Sequence, residues 1–365
     1  MIMKTNKKFD LKLLLHGIDT VQCAYYLQPM NTNAIKLFSL IDQKEKLRKI
    51  KYKNPAPITL GSCGFLLQPY GSRSGYPIVI TNEDFRIACG PYNNPNFFVT
   101  FRSQALWRES AFLLHKKFLK WASSMEFLPY KEESLSRVDF SFDYHLPEID
   151  FDENSFFSRS NKDNKYRENR KPQTFTFGKG DVVLRVYDKV AEIKQKSEKV
   201  WFYPLWGQEK DVWRIEWQIR KPVLKIYKIR TFDDLKKHQG DLLKYLSAEH
   251  DSLKVPNNDS NSSRWPLHPL WKDLQEQISK LDHLGISRIY GKNLALEERE
   301  MRIGISMLGY LKRYAAIGCV KENKDNMNIA EALRKIQGLI LYVHEPFTWK
   351  IDVEKRIKEI ELGEW

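Results

Sequence analysis

Trp213-Arg214-Ile215-Glu216-Trp217-Gln218-Ile219-Arg220 alternates bulky apolar residues with polar or charged ones along its whole length. Successive strand residues point to opposite faces. The stretch therefore predicts a strand with Trp213, Ile215, Trp217 and Ile219 turned to a core and Arg214, Glu216 and Arg220 on the other side. Two upstream stretches follow the same rule. Arg137-Val138-Asp139-Phe140-Ser141-Phe142-Asp143 puts Asp139 and Asp143 on one face. Leu184-Arg185-Val186-Tyr187-Asp188-Lys189 aligns Arg185, Tyr187 and Lys189. Acids, a tyrosine and basic side chains along one side of a sheet suit the cutting of a phosphodiester bond.

Around these strands the chain reads as a mixed body followed by helices. Residues 13–28 predict a strand, and 60–101 hold short extended runs broken by Gly, Pro and Asn. Trp107, Ala111, Leu114, Phe118, Trp121 and Met125 form one helical stripe, and a further helix is expected from Thr231, carrying Leu235, Leu242 and Leu246 inward. Residues 251–266 are rich in Asn, Ser and Pro and are expected as a linker. Beyond it come three helical stripes: Trp271 to Leu281, Ile303 to Ile317 and Ile329 to Val343. The expected fold class is α+β. A largely antiparallel sheet with helices on one side forms a catalytic domain over 1–250, and a helical unit covers 267–365. Gly17-Ile18-Asp19 weakly echoes Arg137-Val138-Asp139 as a strand opening with an aspartate at the same offset.

Charge narrows the partner. With 60 basic against 46 acidic residues, the net charge of +14 suits a phosphate-coated polymer or an anionic membrane surface. No run approaches the ~18 apolar residues of a membrane span. Lys12 and Asp19 interrupt any signal-peptide core, so no membrane partner is expected. Cys23, Cys63, Cys89 and Cys319 show neither a CxxC pair nor zinc spacing, and read as reduced thiols of a cytoplasmic protein. No two of the eight histidines stand two positions apart, which removes a His-x-His metal clamp.

The candidate metal ligands are therefore oxygens: Asp139, Glu216 and Asp143, a set suited to Mg²⁺ or Mn²⁺. Asp139 and Asp143 lie about 13 Å apart along an extended strand, so one of them at most is expected as a direct ligand beside Glu216. The competing reading pairs these acids with Arg137 and Arg214 on a solvated face. Tyr187 is the candidate nucleophile. A phenol is only about 0.1% ionised at neutral pH, so Arg185 and Lys189 are expected to favour the phenolate and steady the phosphate. The loop Ser158 to Pro172 offers Lys162, Lys165, Arg167, Arg170 and Lys171 as DNA contacts, with Tyr166 among them as a stacking ring. Trp201, Phe202, Tyr203 and Trp206 read as core packing or as base stacking.

In their order and spacing, residues 137–143, 174–192 and 213–221 resemble the replication initiation factor family, with 96–107 fitting more loosely. That family includes rolling-circle initiators of plasmids and phages and relaxases of conjugative elements; the likeness covers about residues 95–250. It implies that Tyr187 attacks the DNA backbone, leaving a 5′-phosphotyrosyl link and a free 3′-hydroxyl, with Lys189 and Glu192 matching the following motif positions. It implies a divalent metal held by Asp139 and Glu216, with Asp143 matching less surely. Its implied partners are origin DNA (single-stranded or hairpin), a second copy of the chain as a homodimer, and a host helicase. A conjugative relaxase would share the chemistry. Two alternatives stand apart: a DNA-binding regulator without catalysis, and a metal-dependent nuclease that uses water.

Overall fold

β-branched and aromatic residues recur at alternating positions in the two longest strands, Lys12–Pro29 and Phe127–His145. The structure is a computed structural model that describes residues 11–30, 36–49, 54–160, 162–168, 171–197, 199–281 and 292–361. β1 (Lys12–Pro29) is followed by α1 (Leu40–Lys49) and a meander of β2 (Ala56–Leu60), β3 (Cys63–Leu67), β4 (Ile78–Thr81), β5 (Phe85–Cys89) and β6 (Phe97–Phe101). β6 returns to pair with β1. Two helices close this half, α2 (Ser103–Arg108) and α3 (Ala111–Ser124). The single helical stripe expected from Trp107 to Met125 is thus broken at Ser110, whose side chain accepts from the Leu113 N–H and caps α3.

The second half repeats the plan. β7 (Phe127–His145) and the short β8 (Phe156–Ser158) precede β9 (Asp163–Glu168), β10 (Lys171–Phe177) and β11 (Val182–Asp188). After α4 (Lys189–Glu192) and α5 (Phe202–Trp206), β12 (Val212–Arg220) returns to pair with β7. α6 (Lys221–Ile226) and α7 (Phe232–Tyr245) follow. α7 starts as the sequence predicts: Thr231 and Asp234 form a reciprocal capping box. The result is an eleven-stranded antiparallel sheet in the order β2-β3-β4-β5-β6-β1-β7-β12-β11-β10-β9.

One face carries the core. Val138, Phe140, Phe142, Trp213, Ile215, Trp217 and Ile219 pack there with Phe118 of α3 and Leu235 and Leu242 of α7. The fold is α+β, as expected, with α3 and α7 on this face.

The expected linker belongs to the sheet unit instead. β13 (Asp251–Leu253) pairs with β8, and α8 (Pro269–Ser279) buries Trp271 against Trp217, ring centroids 5.7 Å apart. Tyr144 on β7 donates to Asp273 on α8 at 2.8 Å. The Asn and Asp residues that suggested a linker serve local turns: Asn257, Asp259 and Asn261 each accept from a backbone N–H two residues on. The chain divides after Ile289, later than the expected boundary near 250–266.

The second unit holds α9 (Lys292–Glu322), α10 (Ile329–Val343) and α11 (Pro346–Glu361). Its small core joins Leu311, Met327 and Ala332, while Met307, Tyr310, Ile317, Leu333 and Ile340 from the expected stripes are exposed. Among the described residues no helix is long and apolar enough to cross a membrane.

Candidate active site

The face opposite the core is polar across β11, β12 and β7. Register sets its rows. Arg185 stands opposite Glu216, which stands opposite Ser141; Tyr187 stands opposite Arg214, which stands opposite Asp143; Gln218 stands opposite Asp139. At the centre the Tyr187 hydroxyl donates to Glu216 Oε2 at 3.0 Å. Arg185 donates to Glu216 Oε1 at 2.8 Å and more weakly to Gln218 at 3.4 Å. Arg137 donates to both oxygens of Asp139, from Nε to Oδ1 at 2.8 Å and from Nη2 to Oδ2 at 2.5 Å. Tyr187, Glu216 and Asp139 are buried, whereas Arg137 and Arg185 are partly open to solvent.

Electrostatics corrects one expectation. Burial pushes the Tyr187 phenol well above its ordinary value of 10, and the Glu216 charge adds to that; Arg214 only partly opposes them. The flanking cations do not ionise this phenol, because Arg185 is engaged by Glu216 and Lys189 by Glu192 at 2.6 Å. Strand β11 ends at Asp188, which caps α4 by accepting from Ala191, so Lys189 opens a helix rather than continuing the row. It is buried, and its ammonium lies 5.6 Å from the Tyr187 ring centroid. Burial and Arg214 lower its pKa.

Asp143 leaves the candidate metal set. Arg214 holds both its oxygens, at 2.6 and 2.8 Å, Trp206 Nε1 adds a third bond at 2.8 Å, and this pair is closed to solvent, whereas the Arg137 that holds Asp139 is partly open. The same guanidinium donates to Asp19 Oδ1 at 2.9 Å, an oxygen that also accepts from Ser103 and from Trp107 Nε1. Burial disfavours the Asp19 charge, yet Arg214, Lys199 and Lys189 outweigh it and hold this carboxyl well below the usual range. Phe202 covers the Arg214 guanidinium at 4.5 Å and stacks on Trp201 and Trp206, so the aromatic cluster after Tyr187 is packing. Sequence reasoning missed Asp19; Arg137 and Arg214 were expected only as ion-pair partners of the acids on a solvated face, and Arg214 is instead fully buried. The echo between Gly17-Ile18-Asp19 and Arg137-Val138-Asp139 was the available signal. Asp19 sits where the β1–β7 register slips, between Ile18 opposite Phe140 and Thr20 opposite Asp139; a bulge of this kind re-aims a side chain.

The basic segment divides. Lys165 stands opposite Phe175 on the core face, is half-buried and pairs with Glu153, which removes it from the polar face. Lys162 is exposed beside the Gly178 turn, whose N–H donates to the Lys162 carbonyl. Arg167 and Lys171 lie on β9 and β10, but their side chains, and Arg170 altogether, fall outside the described residues.

Among the described residues, no three His, Cys, Asp or Glu side chains gather closely enough to hold an ion by themselves. Two observations nevertheless fit a hard divalent cation near Asp139 and Glu216. Burial, with the charges of Glu216 and Asp19, pushes the Asp139 carboxyl up to about 6 even though Arg137 opposes it. Ser141 Oγ, opposite Glu216 and two residues from Asp139 on the same strand, is buried with no hydrogen-bond partner. Mg²⁺ commonly takes one or two carboxylates and completes its shell with water and substrate phosphate.

No family model and no curated protein matches this chain. Among solved structures it is similar to a rolling circle replication initiator protein from Geobacillus stearothermophilus, with 17% identity over 76% of this chain and 99% of that one, at a TM-score of 0.41. A TM-score that low carries no inference about this chain.

Proposed function

We propose that this protein is a DNA strand transferase that nicks one strand through Tyr187 and so starts rolling-circle replication of a plasmid, phage or integrative element. The observation that carries the chemistry is the 3.0 Å hydrogen bond from the Tyr187 hydroxyl to Glu216, on a sheet face bordered by Arg137 and Arg185. The order of the three sequence motifs supports the biological setting.

The resting phenol keeps its proton, since burial and Glu216 both disfavour phenolate. Glu216 Oε2 takes that proton as the Tyr187 oxygen attacks phosphorus. The bond from phosphorus to the 3′ oxygen breaks, the 3′ oxygen leaves and takes a proton from solvent water to become a hydroxyl, and the 5′ phosphate stays on Tyr187. Arg185 and Arg137 keep donors beyond those given to Glu216, Gln218 and Asp139, and these face the phosphate oxygens. Lys189, paired with Glu192, keeps its ammonium 5.6 Å from the Tyr187 ring centroid. Asp139 and Glu216 would hold a divalent metal ion, Mg²⁺ or Mn²⁺, through their remaining lone pairs. When bound, it would neutralise charge developing on the phosphate.

The test is a labelled set of single-stranded oligonucleotides tiling the DNA around the gene, incubated with Mg²⁺ or Mn²⁺. The expected result is a denaturant-stable protein–DNA adduct that Tyr187→Phe abolishes. Cutting without an adduct would point to a water-using nuclease. Salt-sensitive binding that ignores both chelator and Tyr187→Phe would point to a regulator.

A further inference from the structure

Row geometry extends beyond the nicking residues to the outer edge of the sheet. Tyr166 on β9 stands opposite Thr174 on β10, and Thr174 stands opposite Tyr187 on β11. The three residues share a face, and two strand spacings separate the tyrosines by about 10 Å. Thr174 lies between them and Thr176 in the next row, between Asn164 and Arg185; both side chains are small and leave a low floor. Tyr187 is buried at one end of this floor, whereas Tyr166 is 52% exposed at the other. Lys196, itself exposed, lies 5.7 Å from the Tyr166 ring centroid.

We propose that Tyr166 and Lys196 form a subsite that stacks one unpaired base of the DNA strand and holds its phosphate, close to the bond that is cut. This rests on the nicking function proposed above. Any base presents a flat face to an aromatic ring, so the subsite takes single-stranded DNA with little sequence preference. At 3.4 Å per nucleotide, the stacked base lies within about three nucleotides of the scissile phosphate. The position explains why a large ring is exposed on an edge strand beside a cation: it has one face for the base, and the ammonium is at hand for the backbone. It also separates Tyr166 from its neighbour Lys165, which alternation sends to the core face.

The test uses the full chain in a Tyr187→Phe background with Mg²⁺, so that no strand is cut. The probe is a short oligothymidylate carrying one 2-aminopurine. The parent is expected to bind it and quench its fluorescence. Adding Tyr166→Ala weakens binding about tenfold and removes the quench, while Tyr166→Phe stays within about twofold of the parent. Lys196→Ala keeps the quench but flattens the slope of log affinity against log salt by about 0.7, the loss of one single-strand phosphate contact. A Tyr166→Ala protein that binds and quenches like the parent overturns the proposal, and so does a parent that never quenches. Failure of the nicking reading shows elsewhere, as the absence of an adduct with Tyr187 intact.

Discussion

β1 with β2 to β6, and β7 with β9 to β12, are built alike. Each half opens with a long strand, of 18 and 19 residues, and runs through a meander whose last strand pairs back on the first. Each then closes with a helix of 6 residues and one of 14, the short helix entered from Arg102 in one half and Arg220 in the other. The two long strands pair antiparallel, and their aspartates, Asp19 and Asp139, meet near the centre of that pairing. What differs is the polar face. In the first half it carries a small apolar cluster of Tyr76, Val79, Ala88 and Phe98. In the second it carries Tyr187, Arg185, Glu216 and Arg137. One plan thus carries an apolar cluster in one half and, under the proposed function, the chemistry in the other. The two aspartates mark the division, because Asp19 is stabilised as an anion and Asp139 is not.

The sharpest way to break this comparison is to remove one tyrosine from each half. Tyr187→Phe should lower adduct formation at least about a thousandfold, since in the proposed mechanism no other group supplies the nucleophile. Glu216→Gln should lower it by roughly 10²- to 10⁴-fold, the usual scale for losing a positioned proton acceptor. Tyr76→Phe removes only a hydroxyl that donates to the Pro95 carbonyl and should leave the rate within about twofold. The measurement is the time course of adduct formation on denaturing gels. A large loss in Tyr76→Phe would mean that the first half takes part in the chemistry.

Asp19→Asn tests the scaffold side. It removes one partner of a buried ion network and should destabilise the fold by roughly 3–5 kcal/mol in denaturant unfolding. The folded-state pKa of Asp19 is depressed, so its contribution is present above the unfolded value of 3.8 and fades as pH falls below it.

Asp139→Asn should act with the opposite sign. Its folded pKa of about 6 exceeds the unfolded 3.8, so the fold binds the proton more tightly. The resulting destabilisation is absent below 3.8, grows between 3.8 and about 6, and is complete above that. Asp139→Asn should therefore stabilise the protein at neutral pH, in chelator, by about 2–3 kcal/mol while abolishing adduct formation. Added Mg²⁺ should raise the melting temperature of the unsubstituted protein more than that of the variant. A variant less stable than its parent in chelator would return Asp139 to the structural class.

Much of this was legible in the sequence, for a physical reason. Period-two alternation fixes which residues share a face, so the rows holding Glu216 and Tyr187 could be read from local spacing alone. Partner choice could not. Asp19 and Arg214 are 195 positions apart and meet only because β1, β7 and β12 are neighbours. Asp143 looked like a ligand because local spacing offers Arg214 as a partner for the acids without revealing that it faces Asp143 across the β7–β12 pair. Lys165 was misassigned because a run of basic residues hides the strand alternation that turns it to the core. The segment after Asp251 was misread because Asn-rich turns and linkers share a composition.

The smallest predicted effect concerns how the first half closes over the second. Gly17 stands opposite Ser141, and a Cβ built on it would lie 2.9 Å from the Trp107 ring. That ring cannot easily give way, because Trp107 Nε1 donates to Asp19 and the indole also lies 5.7 Å from the Arg214 guanidinium. Gly17→Ala should therefore cost about 1–3 kcal/mol of stability by overpacking. If α2 of the first half merely covers the site, the variant's adduct rate should change little at temperatures where it stays folded. If Trp107 instead fixes Asp19 and Arg214 beneath Tyr187, the rate should fall together with stability. The two outcomes separate a lid from a brace, and the second would mean that the scaffold half positions the residues that the chemical half uses.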